Sequence, residues 1–166
     1  MAELDAARAA NVEDGLALAR RIIAADPADL RGHWLLLAHE LELRQMPAAF
    51  ARLDDMLTRT GRNPGLLRTA ARLHLHAGYI SRAKELALAA GQLDALDAEA
   101  IEILALIAGI ERRDAEMREF ITLAKQIGHQ GMGRAEVFDA FRRQNWADLE
   151  RAHAASTRLA VYGTLA

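Results

Sequence analysis

The side chains in this chain best suited to binding a metal ion are its six histidines, since the sequence contains no cysteine. A metal site on a helix needs ligands on one face, commonly with a carboxylate nearby. His74 and His76 point to different faces of a helix, and His33 and His39 are six residues apart. Because no HExxH or His-x3-His pair with a neighbouring carboxylate is present, we expect no metal site and no cofactor.

Residues for nucleophilic or acid–base catalysis show no pattern either. Neither Ser81 nor Ser156 lies in a nucleophile elbow, and the adjacent Asp54 and Asp55 are typical of a solvated helix face. The glycine-rich segment 128–133 (GHQGMG) follows a helix rather than a strand, and no Lys-Ser/Thr pair follows it. We therefore predict a linker there, no catalytic residue and no enzyme activity in this chain.

Arg68 and Arg72 are the cations whose spacing could form a binding site. They are four residues apart and so lie on one face of a helix. Two guanidinium groups in a groove can clamp a carboxylate or an acidic side chain. The alternative is that both are solvated, or paired with Glu42 or Glu102 on neighbouring helices, where such pairs contribute little. The sequence leaves both alternatives open.

The elements that would position these arginines are helices. In residues 67–90, the spacing of apolar and small residues predicts two short helices with a break at Gly78 and Tyr79. The two faces are Leu67, Ala70, Ala71 and His74, followed by Ala83, Ala87 and Ala90. Small residues allow close approach of an antiparallel pair, which is apolar on more than one face. Such a pair needs a copy on each side, which favours a helical repeat array.

Composition supports an all-α soluble domain. Of the 166 residues, 52% are hydrophobic, 27% are charged and only 5% are aromatic, so Ala and Leu dominate the packing. The net charge of -2 gives no field that would attract nucleic acid or a membrane. We identify neither a signal peptide nor an apolar run long enough to span a bilayer, and together with the absence of cysteine this predicts a cytoplasmic location.

The remaining helices are predicted from caps and breaks along the chain. We expect a short helix at 2–10, a second from Glu13 and Asp14 to residue 25, and a loop at 91–97. After the linker, helices at 134–143 and 146–159 are expected to form a degenerate hairpin or cap. Its core would hold three large rings, Phe138, Phe141 and Trp146.

Equivalent residues of successive hairpins recur with a period of about 34. Ala49, Ala83 and Met117 are each 34 residues apart, and we align Trp34 with Leu67 and Ile101 at steps of 33 and 34. With motifs such as Trp34-x2-Leu37-Ala38-x2-Leu41, the chain resembles the tetratricopeptide repeat (TPR) family over roughly 12–127. We divide the chain into TPR-like repeats at 1–127, with an incomplete first repeat, and a fifth hairpin or cap at 128–166.

The resemblance implies a right-handed α–α superhelix of antiparallel helix hairpins, with about ten helices. It also implies a concave groove lined by the first helix of each hairpin, at positions one, five and eight residues after the Trp34 position. These positions give the expected peptide-binding residues: Leu35, His39, Glu42, Arg68, Arg72, Leu75, Glu102 and Leu106.

The function implied by the resemblance is binding of a protein or peptide in that groove. The chain would act as an adaptor, a chaperone or a substrate-recruiting module, or as the N-terminal part of a larger bacterial protein-modifying enzyme such as a glycosyltransferase. The alternative is a self-assembling scaffold, such as a homodimer, that associates through its end hairpins by way of Trp146, Tyr162 or the incomplete N-terminal helix.

Overall fold

The structure, a computed structural model, consists of helices joined by short turns. It describes residues 2–61, 63–127, 133–148, 150 and 151, and it contains no strand within those ranges. The helices are α1 (Ala2–Ala25), α2 (Leu30–Glu42), α3 (Met46–Thr60), α4 (Pro64–His76), α5 (Ile80–Leu93), α6 (Ala98–Ile110), α7 (Asp114–Gln126) and α8 (Gly133–Arg142). A further helical segment begins at Trp146. The predicted all-α fold of antiparallel helix hairpins is confirmed, and the expected number of helices is close.

The chain divides into two compact units, unit 1 ending at Leu66 and unit 2 beginning at Leu67. Unit 1 contains α1, α2, α3 and the first residues of α4. Unit 2 contains the rest of α4 and the helices that follow it. The division into repeats at 1–127 and a cap at 128–166 stays a prediction.

Polar side chains at intervals of 34 residues mark where α2, α4 and α6 begin. Asp29 Oδ1 accepts a hydrogen bond from the Arg31 backbone N–H at 2.9 Å. Asn63 Oδ1 accepts one from Leu66 at 3.1 Å, and Asp97 Oδ1 accepts one from the Ala100 backbone N–H at 3.0 Å. Since the first N–H groups of a helix lack intrahelical partners, these side chains fix each start.

The turn inside each hairpin contains one residue with left-handed backbone. The φ angle is 55° at Arg44, 83° at Gly78, 59° at Arg112 and 55° at Gln144. In each turn the left-handed residue donates its N–H to a carbonyl three residues back, at 3.0 or 3.1 Å. This backbone suits glycine best, which explains Gly78, and it is strained at the arginines.

The core of unit 1 lies between α1, α2 and α3. Ala19, Leu37 and Leu53 are fully buried there, together with Met56. Gly32 allows α2 to approach α1 closely, because a Cβ at this position would lie 2.7 Å from the Ala19 carbonyl oxygen.

The core of unit 2 includes a cluster of small and aliphatic side chains from α6, α7 and α8: Ile101, Ala105, Ala108, Met117, Ile121, Ala124 and Ala135. Gly109 lies next to this cluster and has no room for a side chain. A Cβ there would lie 2.6 Å from Phe138 Cε1 and 2.7 Å from the Met117 sulfur. The glycine therefore allows the Phe138 ring to lie directly against the backbone of α6.

Two predicted helix boundaries were wrong. The helices expected at 2–10 and from Glu13 form one continuous α1, because no proline or left-handed residue interrupts the segment between them. The loop expected at 91–97 is shorter, since α5 continues to Leu93. The linker residues 128–132, the end of the predicted tenth helix and Tyr162 lie outside the described residues.

The alignment of the first helices also needs correction by one residue. From α2 to α7 the helix starts and turns recur at 34, which makes Trp34 equivalent to Arg68 and Glu102. The residue equivalent to the buried Leu67 and Ile101 is His33, which is itself buried. The error arose because we aligned apolar residue types, whereas here a histidine occupies the core position and the tryptophan is partly exposed.

Candidate functional site

An open apolar groove in unit 2 is the candidate site. It has a volume of about 580 Å³ and lies along the C-terminal half of α4, α6 and most of α8. Its apolar lining consists of Leu75, Leu106, Ile110, Val137, Phe138 and Phe141. His76 and Arg134 complete the lining. A concave, mainly apolar surface with a few polar groups at its edge is typical of a binding site.

Helical spacing brings these side chains onto the groove from each helix. Leu106 and Ile110 are four residues apart on α6, and Phe138 and Phe141 are three apart on α8. Ile110 is 47% exposed and Phe141 is 58% exposed, so both present apolar surface that the described part of the chain leaves uncovered. Large apolar side chains left open in a concavity mark an interaction site more often than single exposed ones do.

Arg142 holds the aromatic side of the groove in place. Its guanidinium donates a hydrogen bond to the Gly109 carbonyl at 2.5 Å and pairs with Asp114 at 2.6 Å. The same guanidinium lies 6.0 Å from the centre of the Phe138 ring. Because the Gly109 carbonyl, which already accepts from the Arg112 backbone N–H, also accepts from this guanidinium, Arg142 ties α8 to the end of α6.

Arg68 and Arg72 both have acidic partners at the start of α6. Arg68 Nη1 lies 2.9 Å from Asp97 Oδ2, and its Nε lies 3.5 Å from Glu99 Oε2. Arg72 Nη1 pairs with the other oxygen of Glu99. The acids that pair with them are therefore Asp97 and Glu99 rather than the Glu42 or Glu102 considered from the sequence. That the two arginines bind an incoming anion stays a prediction.

Glu102 is buried and pairs with a third arginine. Its Oε2 lies 3.0 Å from Nη2 of Arg134, at the edge of the groove. Three arginines from α4 and α8 thus converge on acids of α6. The charges along this side of the groove are matched within the protein.

The structure brings some of the expected groove residues together in unit 2, and not others. Leu75 and Leu106 line the apolar groove, whereas Arg68, Arg72 and Glu102 belong to the ion pairs beside it. Leu35, His39 and Glu42 lie on α2 in unit 1, with Leu35 and Glu42 exposed and His39 half-buried. The residues equivalent to Arg68 and Arg72 are Trp34 and Ala38, one residue earlier than Leu35 and His39. The assignment of all eight residues to a peptide groove stays a prediction.

Sequence reasoning missed Ile110 and the α8 side of the groove. It placed Phe138, Phe141 and Trp146 in the core of a terminal hairpin, which was wrong for two of the three. Phe141 and Trp146 are 58% and 60% exposed. The available signal was the three-residue spacing of Phe138 and Phe141, which places both rings on one face of α8.

Glu111 caps the C-terminus of α6 next to Ile110. A hydrogen bond from Arg113 lowers the pKa of this carboxyl, with a smaller contribution from Lys84. A second, charged cleft of about 480 Å³ lies between α7, α8 and the segment after Trp146. Its cations include Lys125 and Arg143, which already pair with acids of α8 at 2.5 and 2.8 Å.

The described residues contain no group of three or more histidine, aspartate or glutamate side chains arranged to hold a metal ion. Within the same ranges, none of the helices is both long enough and apolar enough to cross a bilayer.

Comparison with solved structures identifies similar folds. The chain is 15% identical to PilF of Pseudomonas aeruginosa, with a TM-score of 0.71 over 93% of this chain and 72% of that one. It is 13% identical to the MamA RS-1 ArsTM double mutant, with a TM-score of 0.67 over 96% and 91% of the two chains. A crystal structure of MamA gives 12% identity and a TM-score of 0.66 over 90% and 87%.

PilF and MamA are both TPR-repeat proteins, and the chain has a TPR-like fold, as the sequence predicted. No protein-family model matches the chain, and no curated protein matches it significantly.

Proposed function

We propose that this chain is a protein-interaction module that binds a segment of a partner protein in the apolar groove of unit 2. The observation that carries the proposal is the open apolar lining between α4, α6 and α8, with Ile110 and Phe141 about half exposed. In proteins of this fold, grooves between repeated helices suit peptides and helices, whose side chains enter as anchors. Fully burying two apolar anchor side chains of the partner would contribute about 1.5–3 kcal/mol each.

The role is one of binding rather than catalysis. An adaptor, a chaperone or a substrate-recruiting module would each use such a groove without chemistry of its own. Recruitment for a larger bacterial protein-modifying enzyme, such as a glycosyltransferase, is one form of this role, and a cytoplasmic location would suit it. These finer roles are proposals that follow from the fold expectation and the groove.

The experiment starts from a phage-displayed library of random peptides selected on the wild-type protein. Selected peptides are synthesised with a fluorescent label, and their binding is measured by fluorescence anisotropy. Ile110→Arg should weaken binding at least about tenfold, equivalent to about 1.4 kcal/mol, because a charge would replace an apolar contact.

Leu123→Arg is the matched control, because Leu123 is a similarly exposed leucine on α7 that does not line the groove. Its affinity should equal that of wild type. If Ile110→Arg binds the peptides as tightly as wild type, and circular dichroism shows that both variants are folded, the binding site lies outside this groove.

A second candidate function is self-assembly, which the exposed Trp146 side chain favours. Large exposed aromatic side chains are enriched at protein interfaces. Light scattering over a wide range of concentrations should then show a dimer that Trp146→Ala weakens. A monomer at every concentration would exclude this function.

A further inference from the structure

We infer that the segment bound in the groove presents uncharged aliphatic or aromatic side chains, and that an acidic peptide is disfavoured. This inference rests on the proposed function and specifies the chemistry of the partner. It differs from the sequence hypothesis that Arg68 and Arg72 clamp an incoming anion, because these two arginines and Arg134, which lines the groove, pair with acids of the same protein.

Arg134 lines the groove, Arg72 and Arg68 precede Leu75 on α4 by about one and two turns, and all three have an internal acidic partner. Arg68 pairs with Asp97 at 2.9 Å, and Arg134 pairs with Glu102 at 3.0 Å. Arg72 pairs with Glu99. An incoming carboxylate would have to compete with these acids for the same guanidinium groups.

The competition would be costly because two of the acids are buried. The side chains of Asp97 and Glu102 are 1% and 6% exposed. Removing the arginine from either acid would leave a buried carboxylate without its counter-charge, which is strongly unfavourable. Asp97 also caps α6 through the Ala100 N–H, so its position is fixed by the fold.

The acids also oppose a ligand carboxylate directly. Glu99 is partly exposed between the two arginines of α4, and any anion close to Arg72 lies close to Glu99 as well. Like charges at such distances repel, so the site has little net attraction for an anion. The lining residues Leu106, Ile110 and Phe141 are uncharged, so they do not repel an apolar side chain of the ligand.

The corresponding face of unit 1 has the same apolar character. Trp34, Ala38 and Leu41 occupy on α2 the positions that Arg68, Arg72 and Leu75 occupy on α4. Trp34 and Ala38 are exposed and Leu41 is half-buried. Unit 1 therefore offers no cation at these positions, which agrees with an apolar rather than an anionic ligand.

The test uses the composition of the selected peptides. Twelve-residue random peptides are selected on wild-type protein, with removal of those that also bind Ile110→Gln, a neutral substitution that does not itself attract acidic peptides. We expect enrichment of Leu, Ile, Phe, Trp and Met, and depletion of Asp and Glu relative to the starting library. Replacing one apolar anchor of the best peptide by Glu should weaken binding at least about tenfold.

Arg72→Gln separates the two ligand chemistries. Arg72 and Glu99 are both partly exposed, so this variant should fold. For an apolar ligand its affinity should stay within about twofold of wild type, and raising NaCl from about 0.05 to 0.5 M should change the affinity little. Enrichment of Asp or Glu, with binding lost on Arg72→Gln or at high salt, would overturn the inference while leaving the groove as the site. Failure to obtain any peptide that depends on Ile110 would instead refute the proposed function.

Discussion

The bidentate ion pair between Glu40 on α2 and Arg52 on α3 provides the sharpest test of the packing in unit 1. Arg52 Nη2 lies 2.5 Å from Glu40 Oε1, and its Nε donates to both carboxylate oxygens at 2.9 and 3.0 Å. The side chains are only 12% and 21% exposed for Glu40 and Arg52. Arg52→Leu would therefore leave a largely buried carboxylate without its partner.

Removing one member of a fully buried pair costs about 3–5 kcal/mol, so for this slightly solvated pair we expect about 2–3 kcal/mol. For a chain of this length the loss corresponds to a fall in Tm of about 5–10 °C. Arg59→Leu is the control, because Arg59 pairs with Asp55 at 2.8 Å on the same helix and both side chains are about 40% exposed. Its cost should be below about 0.5 kcal/mol.

Urea unfolding followed by circular dichroism measures both variants. A second variant replaces both members of the ion pair with apolar residues and so leaves no carboxylate unpaired. In the hairpin of α6 and α7, Ala108 and Phe120 occupy the positions of Glu40 and Arg52 and pack in the apolar core. The double variant Glu40→Ala/Arg52→Phe should therefore lie within about 1 kcal/mol of wild type, since apolar replacements of buried pairs are often neutral. Equal losses for Arg52→Leu and Arg59→Leu would refute the reasoning.

Further predictions concern the glycines, one strained turn and one cap. Gly32→Ala should cost about 1–3 kcal/mol, because its Cβ would lie 2.7 Å from a carbonyl oxygen of α1. Gly15→Ala, with open space around it, should instead stabilise the protein by about 0.5–1 kcal/mol. If urea unfolding showed that both substitutions change the free energy of unfolding in the same direction, the close approach of α2 to α1 at Gly32 would be contradicted. Arg112→Gly should stabilise by up to about 1 kcal/mol in thermal unfolding, since φ is 59° there, and a loss of stability would count against strain at this turn. Hydrogen bonds from Arg31 lower the pKa of Asp29 from 3.8 to about 2, so its ionised form stabilises the fold above the unfolded value of 3.8, and this contribution is lost as the pH falls through about 2. Carboxyl NMR should show that midpoint, and Arg31→Gln should raise it towards 3.8; an unchanged midpoint would exclude the pairing.

The repeat period could be predicted from the sequence because its determinants are local. Caps such as Asp97, a turn glycine such as Gly78 and small residues such as Ala83 act within one hairpin. The register within α2 could not be predicted from residue type, because His33 is buried like an apolar residue and the larger Trp34 is partly exposed.

The candidate site was less accessible to sequence reasoning because it depends on packing between helices. The partners of Arg68 are about thirty residues away, and only the position of α6 against α4 selects them. The aromatic side of the groove depends on Gly109, whose missing Cβ leaves room for Phe138. Neither relation appears as a spacing within one helix.

The regular recurrence of caps and left-handed turns has a consequence for how the length of this chain can change. Removing residues 79–112 would join Gly78 to Arg113, so that one left-handed residue replaces another before the next helix. The new junction would then have the same left-handed backbone conformation as the junction it replaces. Insertions or deletions of whole 34-residue blocks should therefore be tolerated, whereas other lengths would separate a helix from its cap.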